Sequence, residues 1–557
     1  MTKYKPLPRV KLTDRKWPDN EITKAPIWCS VDLRDGNQSL AIPMSINNKI
    51  KMFQLLVEIG FKEIEVGFPA ASQIEFDFIQ KLINDKLIPD DVIIQVLTQA
   101  REHLIKKTFG SIKGAKNVII HLYNSTSPLQ RKITFSMSKD QIKKIALDGT
   151  KLIKKLLPTL PDTIINLQYS PESFSDTEED YALEVCENVM DIWEPTEKNK
   201  IIINLPHTVE WFAPNIYADK VEWICKNIKD KNKTIISIHT HNDRGTSIAA
   251  SELAVLAGAE RVEGTLFGNG ERTGNMDIVT MALNMFTQGI DPKLDFTNIP
   301  YIKKIYEECT KMEVPPRQPY SGELVFTAFS GSHQDAIKKG MDNRLKINNK
   351  NEQWEVPYLL IDPKDIGRSY KAIIRINSQS GKGGIAYILS REYGLELPKN
   401  MHPEVGMIIN KISDKLGREL NPEEIYNAFF EHFINRNNPL ELINFNCTTN
   451  KDNDNNACMA TVKYNNKTFA INGQGNGPID AFVHGMNNQG WDNFQVIDFH
   501  EQSLGTGSDT EAISYIQIKT HDGIEYWGAG IDTNISLAGI KSLVNAYNRS
   551  LNNKAFL

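Results

Sequence analysis

Short apolar, largely β-branched runs, each closed by polar or turn-forming residues, recur along the first half of the chain and predict eight strands. They span residues 27–33, 63–68, 91–97, 117–123, 163–169, 200–205, 234–239 and 261–267. Helix-length amphipathic segments such as NNKIKMFQLLVEIG and TEEDYALEVCENVMDIW separate them. Strands alternating with helices imply a parallel sheet. Eight near-continuously apolar strands favour closure into an α/β fold of the (β/α)8 TIM-barrel type over an open doubly wound sheet. The pattern predicts an N-terminal arm over 1–26 and the barrel over 27–290.

Beyond the barrel the pattern changes twice. Residues 291–435, with the polar, Pro-bearing stretch 341–367 among them, read as a linker and small, mainly helical subdomains. From Leu442 a strand-rich pattern occurs twice, ACMATVKYNNKTFAINGQGNGPIDAFVHGM and EAISYIQIKTHDGIEYWGAGIDTNISLAGI, each reading as two strands, a Gly-rich turn and a helix. Such paired units suit a C-terminal α+β domain over 436–557. NKDNDNN (450–456) reads as a hydrophilic loop.

Composition narrows the class of function. Lys plus Arg number 64 against 69 Asp plus Glu, a net charge of −5, which argues against binding to nucleic acid. No apolar run approaches the roughly 18 residues of a spanning helix, and the N-terminus lacks the apolar stretch of a secretory signal. A cytoplasmic protein without membrane partners is expected. The six cysteines show no CxxC pairing, so they read as reduced packing residues rather than as a disulfide framework or a zinc site.

In such barrels the active site is built at the C-terminal ends of the strands. Those positions are unusually polar here. Strand one runs into Arg34, Asp35, Gly36 and Gln38; strand two carries Glu65, strand four His121. Strand five runs into Ser170 and Glu172, strand six into His207 and Thr208. Strand seven supplies His239, His241, Asn242 and Asp243, and strand eight Asn269, Glu271 and Asn275.

His239 and His241 are two apart, and a strand places such residues on one face. Two imidazoles and a carboxylate suit a divalent ion with open coordination positions. Asp35 is the natural third ligand, because strands one and eight close the barrel and strand seven lies nearby. Alternatively the two histidines only hydrogen-bond at a strand end. Arg34 can stabilise developing negative charge on an oxygen or form an ion pair with Glu65, and both roles are compatible. Glu172 could take a proton or bind substrate. SGKGG (380–384) and GQGNGP (473–478) lack the context of a phosphate loop or a dinucleotide fold.

These strings carry a resemblance. DLRDGNQ (32–38), EVGFPAAS (65–72), HLYNSTS (121–127), YSPES (169–173), NLPHTVE (204–210), IHTHNDRGT (238–246), GTLFGNGERTGN (264–275), FSGSHQDAI (329–337) and NSQSGKGGIAY (377–387) resemble the 2-isopropylmalate synthase family over nearly the whole chain, and its longer subgroup most closely. The resemblance implies a metal-dependent Claisen condensation of acetyl-CoA with 2-ketoisovalerate, giving 2-isopropylmalate and CoA, the first committed step of leucine biosynthesis. It implies Asp35, His239, His241 and Asn275 around a divalent cation (Mg2+, Mn2+ or Zn2+), Arg34 on the oxyanion, and His333 as base, directly or through Glu172. It implies keto-acid contacts from His121, Glu172 and Thr208, with Glu65 in the substrate site completing the acid–arginine group, and contributions from Tyr358 and Tyr370.

It further implies a homodimer and leucine inhibition through the C-terminal domain. There Gly473, Gly475, Gly477, Gly528 and Gly530 permit close backbone approach, although turns needed only for folding would use the same residues. A homocitrate or citramalate synthase, a lyase running the reverse cleavage and a non-catalytic leucine sensor are the competing readings. Keto-acid choice rests on pocket volume, where one methylene is worth only about 1–3 kcal/mol.

Overall fold

The structure is a computed structural model. It describes residues 7–552 apart from 329–330, 347–352, 370–381, 419, 450–455, 492–493, 506 and 508. It divides into two compact units, Met1–Phe326 with Ile361–Tyr370, and Thr327–Leu360 with Lys371–Leu557.

The first unit is the expected barrel. Strands β1 (Ile27–Ser30), β2 (Glu63–Gly67), β3 (Ile93–Gln99), β4 (Asn117–Ser125), β5 (Ile164–Glu172), β6 (Ile201–His207), β7 (Thr234–Thr240) and β8 (Arg261–Gly264) close in sequence order. β1 pairs with β8 in parallel, Ile27 opposite Arg261 and Ser30 opposite Gly264. The surrounding helices bury one apolar face each against the strands, as Met52, Phe53, Leu56 and Ile59 do along Ile46–Ile59. That helix starts where the Ser45 side chain accepts from the Asn48 N–H and stops at Gly60, whose φ of 109° a side chain would oppose.

Two strands end earlier than their apolar runs suggest. β1 stops at Ser30 because Asp32–Gly36 winds into one π-helical turn, a form concentrated at functional sites. Buried Asp32 anchors the turn, accepting from Ser30 Oγ at 2.8 Å and from the Leu266 N–H at 3.1 Å. β8 stops at Gly264, where a Cβ would sit 2.6 Å from the Met276 carbonyl oxygen; the loop that follows can fold back only over a glycine.

The first unit runs past residue 290. The helix Ile299–Thr310 places Ile302, Ile305 and Tyr306 in the same core as the barrel. The N-terminal arm is fastened to the helix Pro214–Asn227. Arg15 Nη2 donates to Asp219 at 2.6 Å, Trp17 Nε1 to Asp219 at 2.8 Å and the Lys16 N–H to Glu222 at 2.9 Å. Among the described residues no helix is long and apolar enough to cross a membrane.

The second unit starts with the helices Gly331–Lys346, Lys382–Tyr393, His402–Leu416 and Pro422–Phe433. There follow β9 (Leu440–Thr449), β10 (Asn456–Tyr464), β11 (Lys467–Gly475) and the helix Pro478–Asn487. β12 (Phe494–Ser503), β13 (Ala512–Thr520), β14 (Glu525–Asp532) and the helix Ile535–Asn552 complete it. The repeat is therefore three strands and a helix, not two strands and a helix. β12 was hidden by its polarity, burying only Phe494 fully. Each repeat forms its own three-stranded antiparallel sheet. A boundary near 435 runs beside a shared core, since Leu389, Ile409, Phe429 and Phe433 of the helices pack with Tyr515, Trp527 and Ala529 of the second sheet.

The glycines of the repeat have a packing role. A Cβ on Gly528 would overlap the backbone of Ser542 and Ala546, and one on Gly473 the backbone of Ala481 and Gly485. Helix and sheet approach to a distance only glycine allows. Gly528→Ala is expected to lower stability by about 1–3 kcal/mol, seen as a fall in the Tm of the second unit in calorimetry. An unchanged Tm would mean the helix can shift freely.

Candidate functional site

The C-terminal ends of the barrel strands surround a cavity of about 270 Å³. Its lining includes Arg34, Asp35, Gln38, Leu97, His121, Tyr123, Ser170, Glu172, Asn204, Thr208, His239 and His241. That volume is below the roughly 300–1,000 Å³ of pockets for drug-sized ligands, so it suits a small acid and not a whole CoA.

The floor holds the three groups expected of a metal centre. Asp35 Oδ2 lies 3.3 Å from His239 Nε2 and 3.3 Å from His241 Nε2, all three side chains being buried. One ligand atom from each falls within 4.8 Å of the others. β7 delivers the first histidine from its last residues, and His241 follows in an isolated bridge with Asn275. Asn275 Nδ2 donates to the Asn269 carbonyl at 3.0 Å, while its Oδ1 is buried with no partner among the described residues. Two borderline nitrogen donors, a carboxylate and an orphaned carbonyl oxygen form a donor set that fits a divalent cation.

The electrostatics agree with that chemistry. Burial alone would raise the Asp35 carboxyl, but Arg34, His239 and His241 hold it well below the usual carboxylate range. Burial would lower His239, yet its hydrogen bonds to the Asp35 and Glu263 carboxylates push it up to about 9, whereas burial dominates at His241 and lowers it.

Arg34 bridges two carboxylates. Its Nη1 lies 2.9 Å from Asp35 Oδ1, and its Nε donates to Glu65. Glu65 in turn accepts from His121 Nδ1 at 2.6 Å, and His121 Nε2 is 2.7 Å from Ser170 Oγ. The ion pair of Arg34 with Glu65 therefore exists alongside its exposure to the cavity. Glu172, the last residue of β5, accepts from Ser125 Oγ. Thr208 Oγ1 accepts from the Ser173 N–H at 2.9 Å.

The remaining expected residues lie elsewhere. His333 and Tyr358 belong to the second unit, where their rings stack at 4.0 Å, with Tyr358 65% exposed. Tyr370 lies outside the described residues. Of the five glycines, four sit against helix backbones, and Gly477 precedes the helix Pro478–Asn487 with open space around it.

Sequence reasoning missed the polar interior beneath the cavity: Glu63, Gln95, Gln168, Asn204, Arg261 and Glu263, all buried. The signal was present. Arg261 and Glu263 are two apart inside an apolar run, and charges on the inner face of a barrel strand require partners. Lys49 was missed too; fully buried, it pairs with Glu75 and reaches the Leu33 carbonyl at 3.4 Å, bracing the turn that carries Arg34 and Asp35.

The barrel is of the class that the family model described as HMGL-like covers, matched over residues 25–305. Residues 323–390 match "Alpha-isopropylmalate synthase, post-catalytic domain-like" and residues 419–551 match "LeuA allosteric (dimerisation) domain". The chain is 55% identical over 554 residues to a 2-isopropylmalate synthase of Clostridium acetobutylicum, covering 98% of this chain and 99% of that protein. It is 50% identical over 548 residues to that of Rhodospirillum rubrum, covering 98% of each. The chain belongs to the 2-isopropylmalate synthase family.

Proposed function

We propose that this chain condenses acetyl-CoA with 2-ketoisovalerate and hydrolyses the resulting thioester to give 2-isopropylmalate and CoA, opening leucine biosynthesis. The observation that carries the reading is Asp35, His239 and His241 converging on the floor of a cavity sized for a small keto acid. A divalent cation bound there supplies Lewis-acid polarisation of the ketone. Mixed imidazole and oxygen donors suit Mn2+ or Zn2+, and the oxygens suit Mg2+.

The residues divide the remaining work. His121, Glu172 and Thr208 orient the keto acid from β4, β5 and the end of β6. His333, the base by resemblance, takes a proton from the acetyl methyl, a task an imidazole nitrogen can perform. The methyl carbon then bonds to the ketone carbon, and the electron pair of the C=O moves onto oxygen, where the Arg34 guanidinium donates to it. Glu65 holds Arg34 in place. Protonation of that oxygen and attack of water on the thioester release CoA and the dicarboxylate. Tyr358 stacks on His333 and steadies the ring; Tyr370 is assigned a supporting contact by resemblance alone.

The name of the C-terminal family model supports a homodimer whose last domain binds leucine as an inhibitor, with Gly473, Gly475, Gly477, Gly528 and Gly530 in the region concerned. Exposed Ile443, Met459, Ile497 and Phe499 on the two sheets supply apolar surface for association. The near-neutral charge and free cysteines suit the cytoplasm.

Release of free CoA thiol from acetyl-CoA with a panel of 2-keto acids tests the activity. Release should be fastest with 2-ketoisovalerate, disappear on chelation, return with Mn2+ and fall with leucine. A preference for pyruvate or 2-ketoglutarate would reassign the substrate, and chelator-insensitive release would remove the metal.

A further inference from the structure

His239 has two ring nitrogens and only one can face a cation. Its Nε2 is the atom 3.3 Å from Asp35 Oδ2; its Nδ1 lies 2.8 Å from Glu263 Oε2, in the barrel interior. A carboxylate only accepts, so Nδ1 carries a hydrogen, and in the neutral ring that a cation requires the lone pair lies on Nε2, towards the cavity. Glu263 is absent from the cavity lining and is 1% exposed.

The geometry points to Glu263 as a positioning residue that holds His239 in its metal-binding tautomer and orientation, with Arg261 and Gln168 fixing that carboxylate in turn. Glu263 Oε1 accepts from Arg261 Nη1 at 2.8 Å, Gln168 Nε2 at 2.8 Å and Gln95 Nε2 at 3.2 Å. Its Oε2 accepts from Asn204 Nδ2 at 3.3 Å as well as from His239. Arg261 is itself held by Glu63 at 2.5 Å, Ser237 Oγ at 2.9 Å and Gln95 Oε1 at 2.8 Å. Groups on four strands, β3, β5, β6 and β8, thus fix one carboxylate. It has no freedom to turn away from the imidazole.

Two further observations favour this role over simple core filling. The other histidine of the pair is not braced in this way, because His241 Nδ1 is buried without a partner among the described residues; the setting of the pair rests on His239. The buried cluster also holds two guanidinium groups, Arg34 and Arg261, against four carboxylates, Asp35, Glu63, Glu65 and Glu263. Those formal charges leave two negative charges, the number a divalent cation neutralises.

The inference rests on the reading of Asp35, His239 and His241 as ligands, and the test separates the two. Apoprotein is titrated with Mn2+ alone, free ion being followed by electron paramagnetic resonance, for the wild type, Asp35→Asn and Glu263→Gln. The wild type should bind one ion per chain, and Glu263→Gln should bind the same number with affinity weakened about 10–100-fold, the usual loss on removing an outer-shell partner. Saturating Mn2+ should then restore most of kcat. Equal affinity in Glu263→Gln and wild type would overturn the positioning role while leaving the metal centre intact, as would a kcat that stays low at saturating Mn2+ with an unchanged Kd. Failure of the wild type to bind, or full binding by Asp35→Asn, would overturn the ligand set and this inference with it. Should Glu263→Gln not fold, Glu263→Asp keeps a charge opposite Arg261 but withdraws it from Nδ1, and the same weakening is expected.

Discussion

Asp35→Asn is expected to abolish turnover and to leave the apoprotein unable to take up Mn2+ at concentrations that saturate the wild type. The side chain keeps its shape, so the π-helical turn that presents it should persist, and circular dichroism should be unchanged. What is lost is the charge that draws both imidazoles and the cation to one point, Oδ2 being 3.3 Å from each Nε2. The affinity should fall by more than the about 100-fold that bounds outer-shell losses. An Asp35→Asn protein that still binds Mn2+ with wild-type affinity would overturn the ligand set.

Arg34→Gln is expected to lower kcat about 10²–10³-fold, or about 2.7–4 kcal/mol, the cost of removing one donor aimed at a developing oxyanion. KM for the keto acid should change much less, because the charge that Arg34 answers appears after binding. Arg34→Lys should recover only part of the rate. An ammonium is a point charge and cannot span Asp35 and Glu65 as the guanidinium fork does. Steady-state kinetics at saturating Mn2+ decides the matter. If kcat holds and only the Tm falls, Arg34 serves solely as the buried partner of Glu65.

The two substitutions and Glu263→Gln form a graded series along one line of contacts, from cavity floor to barrel interior. Loss of a ligand, of an oxyanion donor and of a brace behind a ligand should differ in which quantity moves: metal affinity and rate together, rate alone, and metal affinity alone. That separation is a stronger check on the assigned roles than the size of any single effect.

Much of the barrel could be read from the chain because closure of a parallel sheet leaves a local trace. Each strand is apolar on both faces and ends in polar residues, so count, order and mouth all appear in the pattern. Asp35, His239 and His241 could be singled out for the same reason: HxH within a strand end has a fixed side-chain geometry, and β1 must neighbour β8 if the sheet closes. The leading strand of the second C-terminal repeat could not, since β12 is mostly solvent-facing and its apolar positions are too few to show a period.

What residue types, order and spacing determined by themselves was the architecture of the first unit, the rim of the cavity and the family. What only the folded chain decided was how the interior is wired. Gln95, Gln168, Asn204 and the pair Arg261 and Glu263 stand on four strands, up to 168 residues apart, and no local period links one strand's residues to another's. Their partners are set by the register and tilt of the closed sheet, which bring inward-facing side chains of non-adjacent strands into one layer. A buried charge in a sequence says that a partner must exist; closure of the barrel says which one it is.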